Sequence, residues 1–158
     1  MAELTILDGA VGTVLQNDRQ KKVALNMGSA GGPLEPLGTL SFDAAYESYA
    51  QVVRAGDRAG ADLVVVEAMT DLADVRAAVL AVREQSDLPV WVTMDFDASG
   101  RTAAGTTVGC MVCTLDGFGV SAMGISGRLS PEELCPLLEE MRSWTDKPLI
   151  VRLCSDRC

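Results

Sequence analysis

One feature limits the possible folds of this chain more than any other: apolar, β-branched runs that are each followed by a helical pattern. The clearest run is 63–69, LVVVEAM, which leads into a helical pattern that starts near Thr70 or Asp71. A strand that is apolar on both faces belongs in a parallel sheet that is covered on both sides. The alternation therefore predicts an α/β fold.

The same alternation continues along the whole chain. Helical patterns follow Ser41, an expected N-cap, and Ser130, an N-cap with Pro131 at the first helical position. The strand patterns occupy 4–8, 23–28, 61–69, 88–96, 120–126 and 147–154. The helical patterns occupy 42–60, 70–87, 106–119 and 130–144. No segment resembles a linker, so the 158 residues are predicted to form one domain, 1–158.

Composition excludes several classes of function. The formal net charge of -9 argues against a nucleic-acid partner. The sequence has no apolar run of membrane-spanning length and no signal-peptide pattern, so we expect no membrane partner and a cytoplasmic location. Histidine is absent, which removes the commonest general base and metal ligand. The five cysteines are an odd number and are expected to be reduced.

Several long segments resemble successive blocks of a known family. These segments are ILDGAVGTVLQ, GSAGGPLEPLG, GADLVVVEAMTDLADVRAAVLAVRE, DLPVWVTMDFDASGRTAAGT and LDGFGVSAMGISGRLSPEELCPLLEEM. In this order they are similar to the homocysteine S-methyltransferase family. The family includes the homocysteine-binding domain of cobalamin-dependent methionine synthase and betaine–homocysteine methyltransferase.

The resemblance implies a TIM-type (β/α) barrel with its site at the carboxyl ends of the strands. Family members have eight strand–helix units, whereas six strand patterns are found here. We therefore expect an incomplete, shortened barrel with about six parallel strands. A small closed barrel, an open sheet and a barrel completed by oligomerisation all fit the sequence. Because open parallel edges favour self-association, a homo-oligomer is expected.

The resemblance also implies substrate-binding residues. Asp8 and Glu67 match the two family positions that bind the amino group of homocysteine, and together they would form an ammonium clamp. A structural alternative is that each acid caps the segment after it, with Glu67 near the N-terminus of the following helix. Both interpretations of the two acids stay open at the level of sequence.

The family's zinc ligands do not carry over to this chain. In the family, three cysteines bind zinc, which activates the substrate thiol. One family cysteine position is Gly127 here, and the adjacent pair would lie beyond Cys158. Cys154 and Cys158 are substitute candidates, because Cys154 ends the last strand pattern, although an exposed C-terminus is the favoured explanation of both.

Other residues that suggest chemistry have structural explanations. Cys110 and Cys113 form a C-x-x-C pattern inside a helical segment, where we expect them in the core; Cys135 is also interpreted as structural. Asp97 is assigned to the turn DASG, with Asp95 at the mouth of the barrel. The segment GSAGGPLEPLG lacks the spacing and the lysine of a phosphate-binding loop and is interpreted as a strand-to-helix loop.

Two functions follow from these observations. The first is a homocysteine S-methyltransferase-like enzyme that moves a methyl group from methylcobalamin, a methyl sulfonium or a betaine to a thiol. It would need substitute zinc ligands or a second chain. The second is a non-catalytic shortened barrel that binds an amino acid or another small molecule as an oligomer. The missing zinc ligands favour the second.

Overall fold

The computed structural model describes residues 22–153, which form alternating strands and helices. The strands are β1 (Ala24–Met27), β2 (Leu63–Met69), β3 (Val90–Asp95), β4 (Ala122–Gly127) and β5 (Leu149–Leu153). The helices are α1 (Phe42–Arg58), α2 (Leu72–Gln85), α3 (Val108–Gly117) and α4 (Pro131–Trp144). Each of these elements falls in a segment where the sequence predicts it. The strand predicted at 4–8 lies outside the described residues.

The five described strands form one parallel sheet in the order β1-β2-β3-β4-β5. Each strand pairs with the next one along the chain, and within residues 22–153 the sheet is open, with β1 and β5 at its edges. The predicted parallel α/β architecture is confirmed. The described residues do not form a closed barrel.

Side-chain hydrogen bonds define the starts of the four helices. Ser41 accepts from the first turn of α1, Asp71 from that of α2 and Thr107 from that of α3. Ser130 forms a capping box with Glu133 at the start of α4. The predicted caps at Ser41 and Ser130 are confirmed, and Asp71 is the cap that the sequence left undecided between two residues.

The two faces of the sheet carry different side chains. The face towards the helices is wholly apolar in its centre, where side chains of β2, β3 and β4 join the main core: Val64, Val66, Val92, Met94, Met123 and Ile125. Residues that alternate with these lie on the opposite face, because successive strand residues point to opposite sides. The candidate site lies on that second face.

The prediction that Cys110 and Cys113 lie in the core is wrong, because both are exposed. They do share one side of α3, but the side that packs on the sheet carries a different stripe with helical spacing: Val108, Met111, Val112 and Leu115. Cys135 of α4 is exposed as well. Within residues 22–153, no helix combines the length and the apolar character needed to cross a bilayer.

Candidate functional site at the carboxyl end of the sheet

A bulge in β2 presents Glu67 at the carboxyl end of the sheet. The β2–β3 register shifts by one residue between Val66 and Met69, which places one extra residue in β2. Ala68 within this bulge has a φ of 54°, in the left-handed region that costs a non-glycine residue about 1–2 kcal/mol. The Ala68 N–H donates to Thr93 Oγ1 at 3.3 Å, which anchors the bulge. Bulges of this kind redirect side chains and occur often beside active sites.

Glu67 contacts a polar partner with each carboxylate oxygen. Asn26 Nδ2 of β1 donates to Glu67 Oε1 at 2.8 Å, and Arg152 Nη1 of β5 forms an ion pair with Glu67 Oε2. The side chain of Glu67 is 19% exposed and that of Arg152 is 46% exposed. The pair is therefore only partly open to solvent.

The ion pair also shows that this face of the sheet is concave. Glu67 and Arg152 lie on β2 and β5, which are three interstrand spacings of about 4.8 Å apart. On a flat sheet, two side chains that stand upright from their strands would not meet across that separation. The sheet therefore curves towards the face that carries them, as the wall of a barrel does.

Further polar side chains lie beside this pair. The register places Asp95, Ser126 and Arg152 in one row across β3, β4 and β5. Ser126 donates its hydroxyl to Asp95 Oδ1. We call the set of polar side chains at the carboxyl end of the concave face the carboxyl-end polar cluster: Asn26, Glu67, Thr93, Asp95, Ser126 and Arg152.

The rest of the concave face, towards the amino ends of the strands, is apolar. Alternation and register place six apolar residues there: Ala24, Leu63, Val65, Trp91, Ala122 and Ile150. A polar rim above an apolar floor is the usual arrangement of a small-molecule site in a parallel α/β fold. The position of the cluster therefore agrees with that of a binding site.

The structure describes one of the two predicted clamp acids, and its role in binding stays a prediction. Glu67 lies at the strand end where the sequence predicts it, and it does not cap α2, because Asp71 does so. The structural alternative for Glu67 is thereby removed. Asp8, Cys154 and Cys158 lie outside the described residues, so the two-acid clamp and the substitute thiol pair stay predictions.

Sequence reasoning missed Asn26 and Arg152. Each is a polar residue inside a short apolar strand, in ALNM and LIVRL respectively. That interruption was the available signal, since burying an unpaired polar group in a strand costs free energy. Their shared contact with Glu67 could not be read from the sequence, because it depends on the curvature of the sheet.

The described residues do not fit a zinc ion. Gly127, at the family cysteine position, has a φ of 138°, and a Cβ there would lie 3.0 Å from the Phe96 carbonyl oxygen. A cysteine at this position would therefore be strained. Among residues 22–153 no three Cys, His, Asp or Glu side chains are grouped so that they could hold a metal ion.

The segment GSAGGPLEPLG forms the loop between β1 and α1, as predicted, and two acids at the start of α2 hold it in place. Asp74, only 1% exposed, accepts from Ser29 Oγ and from the Tyr49 hydroxyl, each at 2.8 Å. Asp71 accepts from the Leu34 N–H at 3.3 Å. Because carboxylates face this loop, it is unsuited to binding phosphate. Burial and the hydrogen bond to Asp74 raise the pKa of Tyr49 well above its usual value.

Asp97 belongs to the turn after β3, as predicted. Its Oδ1 accepts from the Ser99 hydroxyl at 2.6 Å, from the Ser99 N–H at 2.9 Å and from the Arg101 N–H at 3.1 Å. These donors, the Ser99 hydroxyl above all, lower the pKa of Asp97 below its usual value of 3.8. The geometry is that of a turn and not of a paired-carboxylate site with Asp95.

A surface cavity of about 560 Å³ lies at the other end of the strands. It is bordered by the end of α4 and the segment before β5, including Trp144, Thr145 and Lys147. Sites in parallel α/β folds lie at the carboxyl ends of the strands, and this cavity lies at the amino ends. We therefore assign the candidate site to the carboxyl-end polar cluster.

Comparison with known proteins shows that the chain is similar in sequence to methionine synthases. Methionine synthase of Mycobacterium leprae is 24% identical over 152 residues, which are 93% of this chain and 13% of the relative. Methionine synthase of Mycobacterium tuberculosis is 25% identical over 139 residues, which are 85% of this chain and 12% of the relative. The chain thus spans about an eighth of the length of these curated relatives.

Solved structures share the fold. The apo form of the homocysteine methyltransferase MmuM from Escherichia coli matches with a TM-score of 0.74 and 24% identity, over 90% of this chain and 54% of MmuM. Its metallated form matches with a TM-score of 0.59 and 24% identity, over 68% of this chain and 39% of MmuM. The described sheet is therefore similar to part of that fold.

A family profile matches most of the chain. The profile described as homocysteine S-methyltransferase matches residues 17–154, which include all five described strands and all four described helices. The chain therefore belongs to the homocysteine S-methyltransferase family.

Proposed function

We propose that the carboxyl-end polar cluster binds the ammonium group of a thiol amino acid of the homocysteine type through Glu67. One observation supports this most strongly: on the concave face, Glu67 accepts a cationic N–H donor, that of Arg152. Charge-assisted hydrogen bonds from nitrogen to a carboxylate have similar geometry for guanidinium and ammonium donors. The identity of the ligand is suggested by family membership.

The burial of Glu67 makes this contact selective for a cation. With 19% of its side chain exposed, Glu67 is partly removed from water and favours a positive partner at the oxygen that Asn26 does not contact, where Arg152 lies. Asn26 holds the other oxygen at 2.8 Å and fixes the orientation of the carboxylate. If Asp8 lies next to Glu67, as the resemblance implies, a second acid would complete the ammonium clamp.

Methyl transfer to the bound thiol is the activity that family membership suggests for the full chain. Residues 22–153 contain no group of three side chains that could hold a zinc ion, so zinc-dependent thiol activation would need ligands from outside this range or from another chain. Zinc analysis of the purified protein, together with a methyl-transfer assay using a methyl sulfonium, a betaine or methylcobalamin, separates the two functions. Stoichiometric zinc with methionine formation supports an enzyme. Homocysteine binding by a metal-free, inactive protein supports the non-catalytic alternative.

Isothermal titration of homocysteine tests the binding proposal directly. Glu67→Gln keeps the size of the side chain and removes its charge, so the affinity should fall by about ten- to a hundredfold. Glu139→Gln, at an exposed position of α4, is the matched control and should bind as the wild type does. Equal affinities of the wild type and Glu67→Gln would contradict the proposal.

The predicted homo-oligomer is a separate proposal. Val151 and Leu153 of the edge strand β5 are 44% and 42% exposed, which favours self-association of the described part of the chain. Light scattering of the full chain at micromolar concentration should give a dimer or a larger species. A monomer would contradict it.

A further inference from the structure

Arg152 has no evident structural need for its charge. Among the five described strands it is the one basic side chain, and it lies on the edge strand β5. Its row neighbour Ser126 is bonded to Asp95, whereas the guanidinium of Arg152 crosses to Glu67 on β2. An ion pair whose arginine is 46% exposed contributes little net stability on its own. A binding role explains the position of Arg152 better than a stabilising role does.

The ion pair limits which ligands can use Glu67. An amine without an acidic group would have to displace Arg152 from Glu67 and leave the guanidinium without a carboxylate partner. A carboxylate alone would have to approach next to Glu67 and Asp95, which repel it. An α-amino acid avoids both costs, because its ammonium and carboxylate groups are attached to the same carbon and can replace both halves of the pair.

We infer that Arg152 binds the α-carboxylate of the same ligand, and that the Glu67–Arg152 ion pair opens so that the zwitterionic head group enters between the two side chains. This inference rests on the proposed function and adds the carboxylate as a required group. Arginine suits this role, since its planar guanidinium can donate two parallel hydrogen bonds to one carboxylate. The long side chain of Arg152 is 46% exposed, which leaves it room to move.

The test compares two ligands that differ only in the carboxylate: homocysteine and 3-aminopropane-1-thiol. The wild type should bind homocysteine about ten- to a hundredfold more tightly than the amine, as expected for a charge-assisted interaction. In Arg152→Gln the preference should fall to about threefold or less. Arg152→Lys keeps the charge without the planar fork and should retain part of the preference.

The controls separate this role from a merely structural one. Arg58→Gln removes a charge from the end of α1, at an exposed position, and should keep the full preference for homocysteine. Thermal unfolding of each variant shows whether it is folded, and the ratio of the two affinities does not depend on the fraction that is active. A structural role for Arg152 would change both affinities together.

Each outcome gives a distinct answer. If the wild type binds homocysteine in a Glu67-dependent way and Arg152→Gln keeps the full preference, the inference is overturned while the proposed function stands. If Arg152→Gln raises the affinity for both ligands equally, Arg152 only competes with them for Glu67, and the inference is again overturned. If homocysteine does not bind the wild type, the proposed function fails and the inference fails with it.

Discussion

Replacing Tyr49 by phenylalanine removes one oxygen atom from the network that holds the β1–α1 loop. The Tyr49 hydroxyl lies 2.8 Å from Asp74 Oδ1, and Asp74 is 1% exposed. The variant therefore leaves one oxygen of a buried carboxylate without this donor, while Ser29 still donates to the other oxygen. Because the ring is unchanged, the measured effect reports the hydrogen bond and not a cavity.

The expected loss follows from the burial and charge of the partner. A hydrogen bond to a charged group contributes about 1.5–3 kcal/mol, so we expect the free energy of unfolding to fall by about 2 kcal/mol. For a urea m-value of about 2 kcal/mol/M, the midpoint should shift down by roughly 1 M with the slope unchanged. Tyr46→Phe is the matched control, since Tyr46 donates at 2.6 Å to Glu84 on the protein surface. Its effect should be much smaller.

Urea unfolding followed by circular dichroism measures both variants. The pKa of Tyr49 is raised above its usual value of 10.0, first by burial and then by the hydrogen bond to Asp74. A raised pKa in the folded state contributes stability below pH 10 that is lost as the pH rises further. The difference between the wild type and Tyr49→Phe should therefore shrink above pH 10. Equal midpoints for Tyr49→Phe and Tyr46→Phe at neutral pH would show that the Tyr49–Asp74 hydrogen bond adds no more stability than the surface one.

Three further predictions concern the bulge, the turn after β3 and the cysteines. Thr93→Val removes the acceptor for the Ala68 N–H, so the free energy of unfolding should fall by about 1–3 kcal/mol, and the affinity for homocysteine should fall as well. An unchanged urea midpoint would contradict the role of Thr93 in anchoring the bulge. The Ser99 hydroxyl lowers the pKa of Asp97 below 3.8, so ionised Asp97 should stabilise the fold above pH 3.8. Asp97→Asn should therefore be less stable than the wild type above pH 3.8, and this difference should disappear as the pH falls below that value. A stability difference that stays constant across this range would contradict the prediction. Cys110, Cys113 and Cys135 are exposed, so a thiol reagent should modify them without denaturant. Replacing all three by serine should lower the number of modified thiols per chain by three, whereas an unchanged number would show that they are covered.

Much of the fold was predictable because local chemistry determines it. The unbroken apolar run of β2 requires cover on both faces, and hydroxyl or carboxylate caps such as Ser41 and Ser130 define where helices begin. The position of Glu67 near the carboxyl end of β2 was predicted correctly, because the apolar run before it shows where the strand begins and how long it is. These features need no knowledge of distant contacts.

The errors and omissions all concern which neighbours a side chain meets. Cys110 and Cys113 do share a helix face, but the sequence alone did not show which face packs on the sheet. The bulge at Ala68 depends on the register between β2 and β3, and the Glu67–Arg152 pair depends on the curvature of the whole sheet. Such tertiary features have no signal within one short segment.

A crystal structure of the full chain grown with homocysteine tests the central claim most directly. We expect the ligand nitrogen within about 3.2 Å of the Glu67 carboxylate, with Arg152 displaced from Glu67 towards the ligand carboxylate. Homocysteine bound elsewhere, or bound on the concave face with the Glu67–Arg152 pair intact and no contact to Glu67, would contradict it.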